Sequence, residues 1–172
     1  DVANARVFPG RTLLAMRSSA YGTIAVTRVQ EQTDIWYNGV PVITWPVPDV
    51  LSQEEFAAIP VLSRHSFGRV LVLGNGVGGL LSQLLKLPLE AVDYLEMDPL
   101  LLETVHEYLP SVYASELESR RVHPVIDDAR RFLARSGKKR YDVVLIGRCG
   151  ANDLAGNSLF AREQFQSCSR VL

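Results

Sequence analysis

Six residues, Gly74-Asn75-Gly76-Val77-Gly78-Gly79, follow directly on the run Val70-Leu71-Val72-Leu73, which is apolar at every position. Such a run suits a strand covered on both faces, and a glycine cluster at its end lets the backbone turn tightly and approach a ligand. Leu80, Leu81, Leu84 and Leu85 then repeat at helical spacing. Strand, glycine loop and helix in that order open a parallel βαβ unit in which the helix amides face a nucleotide. A glycine-rich turn without any ligand has the same local chemistry, and the loop alone does not say which nucleotide.

The alternation continues down the chain. Strands are predicted at Ala91 to Glu96, Val122 to Ile126 and Tyr141 to Ile146. Helices are predicted from Pro99 to Leu109, around Phe132 and Leu133, and along Phe160, Gln164, Phe165, Cys168 and Val171. Strands that alternate with helices imply an α/β domain with a Rossmann-like, doubly wound parallel sheet. The first sixty residues read differently. Ala20 to Val29 and Ile35-Trp36-Tyr37 are β-like, Asn38-Gly39 suits a type I′ hairpin, and a meander of about three strands is expected. Pro41, Pro46 and Pro48 end the pairing, and Ser52 ahead of Gln53, Glu54 and Glu55 resembles the cap of a linker helix. The predicted division is an N-terminal β unit over residues 1–60 and a nucleoside-binding domain over 61–172.

Charge and composition remove several partner classes. Eighteen Lys and Arg against nineteen Asp and Glu leave a net charge of −1, which gives no field to hold nucleic acid or an anionic membrane surface. The longest uncharged stretch, Val70 to Leu85, contains four glycines and is too short to span a bilayer. Two cysteines without a CxxC and three scattered histidines argue against a disulfide scaffold and a structural zinc site, so no metal and a reducing, cytoplasmic compartment are expected. The basic stretch Arg130, Arg131, Arg135, Lys138, Lys139 and Arg140 reads as a solvated face, and Cys149 as a small residue of a loop.

Carboxylates stand at the ends of the second and third predicted strands. Glu96, in Leu95-Glu96-Met97-Asp98, lies 22 residues beyond Gly74 (96 − 74), where a carboxylate can accept both ribose hydroxyls. Asp98 is placed to cap the helix that Pro99 opens. Asp127 and Asp128 stand either to accept an adenine amino group or simply to cap the next helix. The candidate cofactor-binding set is therefore Gly74, Gly76, Gly78, Glu96, Asp127 and Asp128.

Taken with the hairpin, these motifs resemble the spermidine synthase family, the polyamine aminopropyltransferases built on the class I methyltransferase fold. The resemblance runs from Ser18-Ser19-Ala20-Tyr21 through Tyr37-Asn38-Gly39, Glu55, the glycine loop, LEMD, DDAR and YDVVLIG to Ser158-Leu159-Phe160. It implies a nucleoside ligand, S-adenosylmethionine, its decarboxylated form or methylthioadenosine, with Glu96 at the ribose and Asp128 at the adenine amine. It also implies a polyamine as possible second ligand and a homo-oligomer. A whole class I domain of the family has about three further strands, so the fourth strand is expected to present an edge that another chain or further residues would cover.

The departures from the family pattern fall on the amine side. Tyr-Gln of the family is Tyr21-Gly22, a glutamine after the hairpin turn is Val42, Tyr-His-Glu is Gln53-Glu54-Glu55, and the aspartate inside the glycine loop is Val77. The catalytic aspartate maps onto Gly147. A free aliphatic amine is almost wholly protonated at neutral pH, so attack on the carbon beside a sulfonium needs a proton acceptor, worth about 10² to 10⁴ in rate. Glu54, Glu55 and Asp49 are the local candidates. Three functions remain open: an aminopropyltransferase with relocated acid groups, a non-catalytic nucleoside-binding relative, and an S-adenosylmethionine-dependent methyltransferase.

Overall fold

The structure, a computed structural model, describes residues 8–46, 48–63, 68–137, 141–147 and 160–172. Its first part is an antiparallel sheet in the order β1 (Thr12–Ser18), β2 (Thr23–Val29), β3 (Gln32–Tyr37) and β4 (Val40–Trp45). Tyr37 pairs with Val40 across Asn38-Gly39, and both turn residues have positive φ (50° and 79°), as a primed hairpin requires. The meander thus has four strands, one more than expected. The extra strand is β1, whose side chains are only partly covered and whose pairing shifts register between Leu13 and Ala15, so its sequence shows no clean alternation.

Helix α1 (Val50–Leu62) connects the two sheets. It starts three residues earlier than the sequence suggests, because Asp49 and not Ser52 is its cap: the Asp49 carboxylate accepts the Ser52 amide at 3.2 Å.

The second sheet is wholly parallel, with the order β7-β6-β5-β8 for β5 (Arg69–Leu73), β6 (Ala91–Glu96), β7 (Val122–Ile126) and β8 (Val143–Ile146). Its helices are α2 (Leu80–Lys86), α3 (Pro99–Tyr108), α4 (Pro110–Leu117), α5 (Ala129–Arg135) and α6 (Arg162–Ser169). Helix α4 was not foreseen; Pro110 ends the preceding helix and occupies the first position of the new one. Strand β8 begins at Val143, two residues later than predicted, and Phe160 and Phe165 are exposed while Gln164, Cys168 and Val171 are buried.

Side chains alternate across this sheet and build two cores. Val70, Val72, Val92, Tyr94, Val122 and Val143 face one way, toward α1 to α4 and the meander residues Ile24, Val26, Ile35 and Ile43. Leu71, Leu73 and Leu95 face the other, with Leu133, Tyr141, Cys168 and Val171. Because the first core draws on both sheets, the meander is packed onto the parallel sheet rather than tethered to it. A polar clasp reinforces the joint: Asp98, the cap of α3, accepts Ser19 Oγ at 2.6 Å and the Tyr37 hydroxyl at 2.9 Å as well as the Leu100 amide. No helix among the described residues is long and apolar enough to cross a membrane.

Candidate nucleoside site

All four parallel strands end at the same edge of the sheet, and the crevice outside the carboxyl ends of such strands is where this architecture binds ligands. The glycine loop follows β5, Glu96 closes β6, Asp127-Asp128 follows β7 and Gly147 follows β8. Gly74 N donates to Leu95 O at 2.7 Å and Asp127 N to Glu96 O at 3.1 Å, so the first three of these segments are stitched together directly.

Glu96 is buried and accepts four hydrogen bonds. Oε1 takes the amides of Met97 (2.9 Å) and Asp98 (3.2 Å); Oε2 takes the Tyr94 hydroxyl (2.8 Å) and the Asn75 amide (3.3 Å). Burial pushes its carboxyl above the ordinary range, and these donors hold it back only in part. Tyr94 is a residue that sequence reasoning missed. It lies two positions before Glu96 on the same strand, hence on the same face, and its ring packs against Gly76, where a Cβ would stand 3.0 Å from it. Burial, followed by the Glu96 charge, raises the Tyr94 hydroxyl well above its ordinary value.

Glu116 of α4 is the second omission. Only 1% exposed, it accepts Gly78 N at 2.7 Å with Oε2 and the Ser82 hydroxyl with Oε1. Its spacing from Val112 (i, i+4) puts both on one helical face, which was the available signal. Desolvation raises its carboxyl too, against the pull of the Ser82 hydroxyl and the loop amides. Glu116 thus takes up the Gly78 amide, which a phosphate-binding loop would leave free.

Of the two roles that the sequence left open for Asp127 and Asp128, the structure shows the cap. Asp128 caps α5, accepting Arg130 N at 3.0 Å and Arg131 N at 3.1 Å. Asp127 accepts its neighbour's amide at 2.8 Å and ion-pairs with Arg131 and Arg135. Burial alone would raise the Asp127 carboxyl, but the Arg131 hydrogen bond, the Asp128 amide and the two arginine charges bring it below the ordinary range. Three members of the basic stretch are thus spent on these carboxylates, Arg130 on Asp128 at 3.5 Å. Lys138, Lys139, Arg140, Arg148 and Cys149 lie outside the described residues.

Gly147 is buried, and its backbone amide donates to Leu73 O at 2.9 Å. A Cβ built on it would stand 1.9 Å from Gly74 O and 3.2 Å from the Asn75 Cβ. The position therefore does not leave room for a reaching glutamate, contrary to what its missing side chain suggests; the glycine-loop backbone fills the space. Glu54 and Glu55 are exposed on α1. Each residue turns the helix by about 100°, and Gln53 and Phe56, not these two glutamates, face the cavity beside the glycine loop.

That cavity measures about 350 Å³ and lies between β4, the start of α1 and the loop. Val40, Pro41, Val42, Pro48, Phe56, Val77 and Leu80 line it, with Thr44, Asp49, Gln53 and Asn75 as the polar members. No cluster of three or more potential metal ligands occurs among the described residues.

A family profile described as "Spermine/spermidine synthase domain" matches residues 50–172. The chain belongs to the spermine/spermidine synthase domain family. It is 30% identical over 130 residues to the polyamine aminopropyltransferase of Pseudomonas syringae pv. tomato, an alignment that covers 75% of this chain and 45% of the relative. It is 32% identical over 115 residues to the enzyme of the same name from Alkaliphilus oremlandii, covering 66% and 39%. Less than half the length of these relatives is matched. Among solved structures, a spermidine synthase in complex with the transition state analogue AdoDATO superimposes with a TM-score of 0.83 at 23% identity, over 93% of this chain and 54% of that one. Spermidine synthase from Thermotoga maritima gives 0.80 at 23%, over 93% and 53%. The class I fold, with its N-terminal sheet, is the shared architecture.

Proposed function

We propose that this chain binds an S-adenosylmethionine-type nucleoside across the ends of β5, β6 and β7, and that it transfers an aminopropyl group to a diamine very slowly or not at all. The ligand class is S-adenosylmethionine, its decarboxylated form or methylthioadenosine. In this reading the ribose hydroxyls reach Glu96 by displacing the longest of its four bonds, from Asn75 N, and Asp128 turns its remaining acceptor capacity to the adenine amine. A nucleoside without phosphate fits a loop whose Gly78 amide already serves Glu116.

The single observation that carries the second half is the packing of Gly147 on Gly74 O. A proton acceptor is needed there because the attacking amine is charged at neutral pH; residue 147 has no side chain, Glu54 and Glu55 are exposed and do not face the cavity, and Asp49, which does line it, is engaged as the cap of α1. The test pairs calorimetry with turnover. Nucleoside binding without methylthioadenosine release from decarboxylated S-adenosylmethionine and putrescine is the expected result. Release at a rate normal for an enzyme, abolished by Glu54→Gln or Glu55→Gln, overturns it.

A further inference from the structure

The cavity beside the glycine loop begins at Asn75, the residue whose amide donates to Glu96. A nucleoside whose ribose lies at Glu96 therefore extends its 5′ substituent toward Val77, Val42 and Phe56. We infer that this cavity selects an uncharged, apolar 5′ substituent, so that the preferred ligand is a neutral 5′-alkylthio adenine nucleoside and not one with an ammonium or a carboxylate on its tail. The inference rests on the nucleoside reading above and specifies the tail.

The lining decides the charge. Among its described lining residues the only ionisable side chain is that of Asp49, which is exposed and accepts the Ser52 amide as the cap of α1. An ammonium entering among Val42, Phe56 and Val77 would shed its hydration shell against apolar walls, and Asp49, the one carboxylate among the described lining residues, is already engaged as the cap of α1, so entry is unfavourable. The Gln53 carbonyl oxygen does not serve that role. It is buried without a hydrogen-bond partner and is turned against Gly79, where a Cβ would stand 1.5 Å from it. A carboxylate tail is disfavoured on a separate ground, since Glu116 already accepts the Gly78 amide and sets a carboxylate behind the loop.

Size agrees with a short alkyl chain. A volume of about 350 Å³ stands at the small end of the roughly 300–1,000 Å³ range of small-molecule pockets. Each methylene buried against such walls raises affinity about fourfold.

Calorimetry on the full chain tests this with five probes: adenosine, methylthioadenosine, butylthioadenosine, decarboxylated S-adenosylmethionine and S-adenosylmethionine. The expected order has butylthioadenosine tightest, methylthioadenosine next, and both charged nucleosides at least tenfold weaker than methylthioadenosine. Val42→Asp, which places a carboxylate on the cavity wall, should raise the affinity for decarboxylated S-adenosylmethionine relative to methylthioadenosine by tenfold or more. Should that half-buried strand position not tolerate the change, Val40→Asp lines the same cavity from a position 38% exposed and should shift the ratio in the same direction. Decarboxylated S-adenosylmethionine binding the unaltered chain as tightly as methylthioadenosine, or a ratio unmoved in a folded Asp variant, overturns the inference while leaving the nucleoside reading intact. Failure of all five probes to bind overturns both.

Discussion

The Tyr94 hydroxyl donates to Oε2 of Glu96 across 2.8 Å, and the Tyr94 ring packs against Gly76 of the glycine loop, where a Cβ would stand 3.0 Å from it. One phenol thus ties the ribose candidate of β6 to the loop that follows β5. Removing it leaves one buried carboxylate oxygen short of a donor. Tyr94→Phe should cost about 1–3 kcal/mol of stability, the penalty for unsatisfied buried polar groups, read as a lower midpoint in urea with an unchanged slope. A midpoint equal to that of the unaltered chain would show that the loop does not depend on this link.

Glu96→Ala removes the acceptor of four hydrogen bonds at once. Charged hydrogen bonds contribute about 1.5 to 3 kcal/mol, so adenosine affinity should fall about tenfold to a hundredfold. Calorimetry at a temperature where circular dichroism shows the variant folded separates lost binding from lost structure; unchanged affinity would remove Glu96 from the site.

Gly147 gives the most direct check on the closed position at the end of β8. Gly147→Ala drives a methyl group to within 1.9 Å of Gly74 O, and the backbone must move to admit it. Overpacking of this kind costs about 1–3 kcal/mol, so a fall in melting temperature and, through the displaced loop, in nucleoside affinity are the expected results. Gly147→Asp should be destabilised as well and should not restore aminopropyl transfer. Rapid methylthioadenosine release by that variant would mean the loop yields readily.

Much of this arrangement is legible in the residues themselves. The parallel strands read out as short apolar runs, the Asn38-Gly39 turn by its chemistry, and the Asp98 cap by its proline. β1 escaped because its register shift between Leu13 and Ala15 breaks the period of two and its side chains are half covered. Glu116 and Tyr94 escaped for a different reason. Their importance arises from contacts 38 and 18 positions away in sequence, Glu116 to Gly78 and Tyr94 to Gly76, and a pattern read along one element cannot carry it. Gly147 shows the same limit: the sequence tells that the side chain is missing, but only the fold tells what occupies its place.

Protonation of Glu116 offers a prediction whose sign is fixed. Its folded carboxyl sits above the ordinary 4.5, chiefly because burial disfavours the charge. Between that raised value and about 4.5, the native state holds a proton that the unfolded chain has lost, so this group's contribution to stability grows as pH falls through the window and declines as pH rises. Glu96 acts in the same direction, whereas Asp127, held low by its arginines, acts oppositely below the ordinary aspartate range. The whole chain therefore mixes both trends, and a difference isolates one. Glu116→Gln cannot titrate, and its amide would aim donors at Gly78 N or Ser82, so it should be less stable at neutral pH by about 1–3 kcal/mol. Urea unfolding of both proteins from pH 7.5 down to 4.5 should show the gap between them widening as the unaltered chain takes up its proton. A gap that narrows toward acid would mean that Glu116 is held charged by its donors, with its carboxyl below and not above the ordinary range.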